Sequence, residues 1–257
     1  MKKIISLILA LTMVLGVMFA LTSCGAKGRT LEQVKESGKL VVATSPDFPP
    51  FENLEGGEVV GIEIDIIKAI CDELGVELEL VQIPFDSVLP GVQAAKYDAG
   101  VSGITVTPKR EKNTLFTDVY YIAAQSIVVR ADSDINSKDD LDGKKISVQL
   151  GTTAESFCLD EGYSVDSYEA NPEAKTALTS GKVDAWVVDN LTAIQMCEGD
   201  SSVKILDESM TEEPYAFAFC FGSEDLVEEI NAILEKLIDD GIVAEIFAEY
   251  GESYIAP

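Results

Sequence analysis

The chain has no histidine, a single tryptophan, and only 19 basic residues against 45 acidic ones. Without histidine there can be no Ser-His or Cys-His nucleophile pair, no His-bound metal and none of the usual neutral-pH proton carriers. The five cysteines are scattered, with no C-x-x-C pair, which argues against structural zinc. A net charge of −26 argues against nucleic acid and anionic lipid surfaces as partners. Any anionic group of a ligand must therefore find a local cation. No cofactor or metal is expected.

What is present begins with Lys2 and Lys3, the apolar run Ile4 to Ala20, and small residues up to Ser23. This is the pattern of a secretory signal peptide over residues 1–23. Leu21-Thr22-Ser23-Cys24 resembles a bacterial lipobox, so Cys24 is expected to carry lipid at the start of the mature chain. Residues 24–36 then form a tether and a first helix, and the protein sits on the extracytoplasmic face of the membrane.

The mature chain is long enough for two lobes. Thr30-Leu31-Glu32-Gln33 is a capping box for a short helix ending at Gly38, and Lys39 to Thr44 follows as a buried strand. Three prolines stiffen the loop Ser45 to Phe51, in which one of Phe48 and Phe51 packs inward and the other can face a ligand. The pattern predicts a strand over Glu58 to Ile62 and a helix over Ile64 to Leu74, with Glu63 and Asp65 at its positive end. It continues with a strand over Val76 to Ile83, a helix capped by Asp86, and a strand over Asp98 to Thr105. Alternation of this kind implies a parallel α/β sheet, whose ligands gather beyond the carboxyl ends of the strands. Ser45, Phe48, Phe85 and Ser102 to Arg110 all fall there.

Val101 to Arg110 is the stretch richest in chemistry. Thr107 and Pro108 suit the N-cap and first residue of a helix, so Arg110 would project from its first turn. Amide hydrogens of Gly103 and Thr105, side-chain oxygens of Ser102 and Thr105, and the Arg110 fork can converge on a small zwitterion.

Phe116 to Arg130 reads as a crossing strand, after which the pattern restarts. Gly143-Lys144-Lys145-Ile146-Ser147-Val148-Gln149 echoes Gly38 to Thr44, and Lys182 to Asp189 echoes Lys96 to Ser102. Two similarly wound lobes follow, expected over 37–122 plus 216–257 and over 123–215. Gly151-Thr152-Thr153 leads a helix over Ala154 to Leu159, another amino terminus suited to an anion. Asp189 ends an apolar strand, where it can either cap the next helix or meet a ligand ammonium. Glu213 to Phe221 is a return crossing, followed by helices over Leu226 to Asp239, capped by Ser223, and Ile242 to Tyr250. Cys71 and Cys220 read as core residues, and pairing of Cys158 with Cys197 stays open. Trp186, close to Asp189 in sequence, is a candidate reporter of closure.

Gly61-Ile62-Glu63-Ile64-Asp65, with the helix after it, resembles the signature of bacterial solute-binding proteins for polar amino acids, the receptors of ABC importers. Pro49-Pro50-Phe51-Glu52, Phe116-Thr117-Asp118, Gly151-Thr152-Thr153 and the strand from Asp184 to Asp189 are similar to that family in the same order. The resemblance implies an α/β fold of the type II periplasmic-binding-protein kind, two lobes on two hinge strands, with a monomer delivering an amino acid to permease subunits. Arg110 would hold the ligand carboxylate with the backbone of Thr105 and Thr153, and Asp189 the ammonium with Gly103 and Thr105. Phe48 and Phe85 would sandwich the side chain, with Ser102, Gln149 and Ala154 at its far end. Relatives that take cationic amino acids often carry aspartate where this chain has Ser45, and many have a polar residue where Ala154 stands, so the resemblance supports a basic ligand less than it supports the general class of polar amino acids. Two alternatives share the fold: a dehydratase of the cyclohexadienyl kind, using Glu52 or Asp189 for proton transfer, and a ligand sensor partnered with a membrane kinase.

Overall fold

The computed structural model describes residues 26–257; the expected signal peptide and the expected lipidation site at Cys24 lie outside them. Helix α1 (Leu31–Ser37) opens on the expected capping box at Thr30 and Gln33 and ends at Gly38. It leads into strand β1 (Lys39–Thr44), then a meander of β2 (Asp47–Phe48), β3 (Glu52–Glu55) and β4 (Glu58–Val60). Helix α2 (Ile62–Leu74) begins two residues earlier than its apolar spacing suggested. Gly61 is the reason: its φ of 141° turns the chain tightly, and an added Cβ would lie 2.2 Å from the Phe51 carbonyl oxygen. Ile66, Ile67 and Ile70 are fully buried on its inner face, each contributing about 1.5–3 kcal/mol of apolar burial.

After α2 come β5 (Glu77–Gln82), α3 (Phe85–Gln93), β6 (Ala99–Gly100) and β7 (Leu115–Phe116). Asp86 lies inside the first turn of α3, behind Pro84 at the N-cap, and not at the cap itself. The expected strand over Asp98 to Thr105 shrinks to β6, because Ser102 and Gly103 turn away from the sheet, Gly103 with φ 53°. The expected single crossing strand is three pieces: β7, β8 (Tyr121–Ala123) and β9 (Gln125–Arg130).

The second half contains β10 (Lys145–Gln149), α4 (Thr153–Asp160), β11 (Ser164–Tyr168), α5 (Asn171–Thr179), β12 (Ala185–Asp189), α6 (Asn190–Cys197) and β13 (Val203–Ser209). The chain returns through β14 (Glu213–Tyr215) and β15 (Ala218–Phe219), then α7 (Glu224–Asp239) and α8 (Ile242–Glu249). Ser223 occupies the N-cap of α7, but its side chain makes no capping bond.

Two five-stranded sheets result, ordered β5-β1-β6-β15-β7 and β11-β10-β12-β9-β13. β1 pairs in parallel with β5 and β6, and β10 likewise with β11 and β12; β15 then joins β6 antiparallel, as β9 joins β12. The two lobes are therefore wound alike. Between them β8 and β14 run antiparallel, Tyr121 opposite Tyr215.

Cys158 and Cys197 are free thiols in cores on opposite sides of the second sheet. Burial pushes the Cys158 thiol up to about 12, as expected for an inert packing residue. Trp186 is 0% exposed among Val128, Leu178 and Val203 in the core of the second lobe. It does not line the gap between the lobes, so its sequence neighbourhood was a poor guide to its use as a reporter. Among the described residues, no helix is long and apolar enough to cross a membrane.

Candidate ligand-binding cleft

The carboxyl ends of β1, β6, β10 and β12 meet across a cleft of about 420 Å³ of atom-free space, part of it open at the mouth. The first lobe lines it with Ser45, Asp47, Phe48, Phe85, Ser102, Gly103, Thr105 and Arg110; the second lobe contributes Gln149, Thr152, Thr153, Asn171 and Asp189. Every residue expected at the ligand from sequence faces this one space. Phe51, by contrast, is wholly buried in the core of the first lobe, stacked on Phe48.

No helix follows Pro108. Instead, Thr107 Oγ1 accepts from the Arg110 N–H (3.2 Å) and the Glu111 N–H donates to the Thr107 carbonyl (3.0 Å), closing one turn. That turn is enough to aim Arg110. Its Nη1 donates to the Thr105 carbonyl (2.8 Å) in its own lobe, and its Nη2 to the Gly151 carbonyl (3.1 Å) across the gap. The guanidinium lies 5.9 Å from the centre of the Phe85 ring. Burial lowers its pKa, against the pull of Glu213, Asp189 and Tyr215, yet an arginine stays charged.

Asp189 stands at the N-cap position of α6, but its side chain makes no capping bond. It turns into the cleft and accepts a hydrogen bond from the Tyr215 hydroxyl. It is 7% exposed, and burial foremost, with the negative charge of Glu213, raises its pKa to about 7.

Behind the cleft lies a second layer that sequence reasoning missed. The Gly103 N–H is not free for a ligand: it donates to Glu63 Oε2 (2.7 Å). Nor is the Ser102 hydroxyl, which donates to Glu52 Oε1 (2.9 Å). Glu52 and Glu63 are both 0% exposed and hydrogen-bonded to each other, and Tyr120 donates to Glu63. Among the described residues, Glu52 Oε2 receives no donor and no cation acts on either group. Burial raises both pKa values, that of Glu52 most strongly. Two carboxyls in this setting hold one proton between them. Glu52 reaches Ser102 from behind and does not line the cleft, so it is badly placed for the proton transfer considered for it above.

The Thr105 hydroxyl is also spoken for, donating to Glu213 (2.7 Å). Glu213, the first residue of β14, accepts from the Thr153 hydroxyl (2.8 Å) as well, so one hinge carboxylate holds a residue of each lobe. The Thr105 N–H remains available. Its bridge to Tyr215 is bonded through the neighbours, Val106 N–H to the Pro214 carbonyl (2.7 Å) and Ala216 N–H to the Ile104 carbonyl (3.2 Å). This leaves the Thr105 N–H turned toward the cleft side.

Two alike α/β lobes on a pair of crossing strands, with the cation Arg110 from one and the acid Asp189 from the other turned into the gap, define a two-lobed binding protein of the type II periplasmic kind. The chain belongs to the bacterial extracellular solute-binding proteins, family 3, whose model matches residues 40–253. It is 32% identical over 248 residues to the arginine-binding extracellular protein ArtP of Bacillus subtilis, covering 94% of each chain. It is 34% identical over 269 residues to the ABC transporter glutamine-binding protein GlnH of the same organism, covering 97% of each. Among solved structures it resembles holo ArgBP from T. maritima with a TM-score of 0.78 and 36% identity, over 84% of this chain and 99% of that one.

Proposed function

We propose that this chain is a lipid-anchored extracytoplasmic receptor, held at Cys24, that binds a polar amino acid and presents it to the permease subunits of an ABC importer. The lobes we assign to 37–122 plus 216–257 and to 123–215 close over the ligand, and the receptor works as a monomer. The observation that carries this reading is the meeting of Arg110 from one lobe with Asp189 from the other in a desolvated cleft. Either half-site alone is weak, whereas together they complement the carboxylate and ammonium of an amino acid in a low dielectric. The curated relatives named above are amino-acid-binding proteins, GlnH that of an ABC transporter, which favours a receptor over the dehydratase.

A thermal-shift panel of the common amino acids with cystine and ornithine, on protein unfolded and refolded to strip any carried ligand, tests the proposal. At about 1,000 times the dissociation constant, a ligand stabilises by roughly 4 kcal/mol. In a protein of this size that is a shift on the order of 10 °C. No shift from any amino acid would refute the receptor reading.

Proton linkage gives a sharper check. Below about pH 7 Asp189 is largely neutral, and a ligand ammonium pairs with its ionised form. Binding there must expel a proton, so affinity falls by up to roughly tenfold for each further pH unit. Calorimetry in two buffers of different ionisation enthalpy should detect proton release on the acid side and none at alkaline pH. Equal affinity and no release across that range would remove Asp189 from the ammonium site.

A further inference from the structure

Three charged side chains line the cleft: Arg110, Asp189 and Asp47. An amino-acid zwitterion neutralises the first two and leaves the third. We infer that Asp47 reads the ligand side chain and selects a cationic one, a guanidinium or an alkylammonium. This rests on the amino-acid receptor reading and narrows it to a ligand charge.

Asp47 occupies a corner of its own. Its Oδ2 accepts from Gln149 Nε2 (2.9 Å) and from the Asn171 N–H (2.8 Å), both in the opposite lobe. Its Oδ1 accepts from the Ser45 hydroxyl (2.9 Å). No residue bonded to Asp47 is bonded to Arg110 or Asp189, whose partners are Thr105 and Gly151 and Tyr215. The corner is therefore distinct from both ends of the zwitterion, where the side chain must lie. A carboxylate accepts about four hydrogen bonds, so three neutral donors leave capacity on Oδ1 for a ligand N–H.

The donors around Asp47 fix its direction without cancelling its charge. Ser45, Gln149 and Asn171 all line the same cleft and are all neutral. Among the described residues no cation bonds to this corner, and the adjoining groove carries the exposed Glu169. Burial raises the pKa of Asp47, the mark of a carboxylate lacking a counter-ion. A ligand cation supplies that counter-ion. The bonds to Gln149 and Asn171 also exist only when the lobes are together, so the same carboxylate couples closure to what the cleft contains.

The test compares L-arginine with L-citrulline, which replaces the guanidinium by a neutral group of nearly the same shape, by calorimetry on the wild type, Asp47→Asn and Asp47→Glu. A charged hydrogen bond in place of a neutral one is worth roughly tenfold to a hundredfold in affinity. Arginine should therefore lead citrulline by at least about tenfold in the wild type. That ratio should fall to within about threefold in Asp47→Asn, whereas Asp47→Glu, which keeps the charge, should keep a preference. Thermal unfolding of each ligand-free variant checks that it folds. If Asp47→Asn weakens both ligands equally, Asp47 is a closing contact only and the inference is overturned. If the wild type takes citrulline, or a neutral amino acid such as glutamine, as tightly as arginine, the inference also fails while the receptor reading stands. If no amino acid binds, both fail together.

Discussion

Arg110→Ala should abolish the ligand-dependent thermal shift and weaken amino-acid binding by about 2–5 kcal/mol, the range for truncating one partner of a buried charge pair. Each 1.4 kcal/mol is tenfold, so the loss spans roughly thirtyfold to several thousandfold. The size follows from where the guanidinium sits. It is held by the carbonyls of Thr105 and Gly151, above the Phe85 ring, with no carboxylate in salt-bridge contact among the described residues. Two of its donors are committed to the protein and the rest are available as a fork for a carboxylate. Arg110→Lys keeps the charge but loses the planar fork and the ring contact, so it should recover part of the affinity and not all of it. Ligand-free stability should change little in either variant, because the guanidinium is already disfavoured by burial. If Arg110→Ala binds its amino acid with unchanged affinity, the carboxylate anchor has been misassigned.

The second large effect concerns stability. Glu63→Ala removes the acceptor of two buried donors, the Gly103 N–H and the Tyr120 hydroxyl, and leaves Glu52 without its partner. Each buried donor left unpaired costs about 1–3 kcal/mol, so a loss of about 3 kcal/mol or more is expected, with a fall in Tm on the order of 10 °C. Glu52→Gln should be far milder, since an amide can give the hydrogen that the protonated carboxyl gives and can still accept from Ser102. The two variants also differ in pH dependence. Because both folded pKa values are raised, the folded chain retains a proton that the unfolded chain has released above the ordinary carboxylate range. Stability contributed by the pair is therefore highest at acid pH and declines as pH rises toward the folded pKa. Glu52→Gln should flatten that decline. Urea midpoints across the neutral range decide it: equal slopes in wild type and Glu52→Gln would mean that the pair holds no extra proton.

Local signals in the chain were strong where a side chain acts through its immediate neighbours. Thr30 and Gln33 cap α1 as their spacing requires, the apolar face of α2 is where its 3.6-residue period puts it, and β1 has its expected limits. Arg110 and Asp189 could be singled out because a cation in so acidic a chain, and a carboxylate ending an apolar strand, both demand a partner. The misreadings share a different origin. Val101 to Thr105 has the composition of a strand, but Ser102 and Gly103 are drawn out of the sheet by Glu52 and Glu63, more than 35 positions away in sequence. Glu63 itself looked like an acid placed to favour a helix dipole. Its burial beside a second glutamate depends on the packing of β3 against α2, which no local pattern encodes. Asp47 was concealed in the loop Ser45 to Phe51 that its prolines stiffen, and Glu213 at the start of the return crossing. Both acquire their roles only when the second lobe comes within reach.

The position of β15 bears on how such a chain is assembled as it emerges. It lies inside the first sheet, between β6 and β7, although it is made after every strand of the second sheet. The second lobe is one unbroken stretch and can complete its sheet while the remainder is still being delivered. The first lobe has to wait, with one edge of β6 unpaired and the inner faces of α7 and α8 missing. The half that supplies Arg110 is thus the later to mature, and the cleft comes into being at the end of folding, when the last part of the chain closes the first part's sheet.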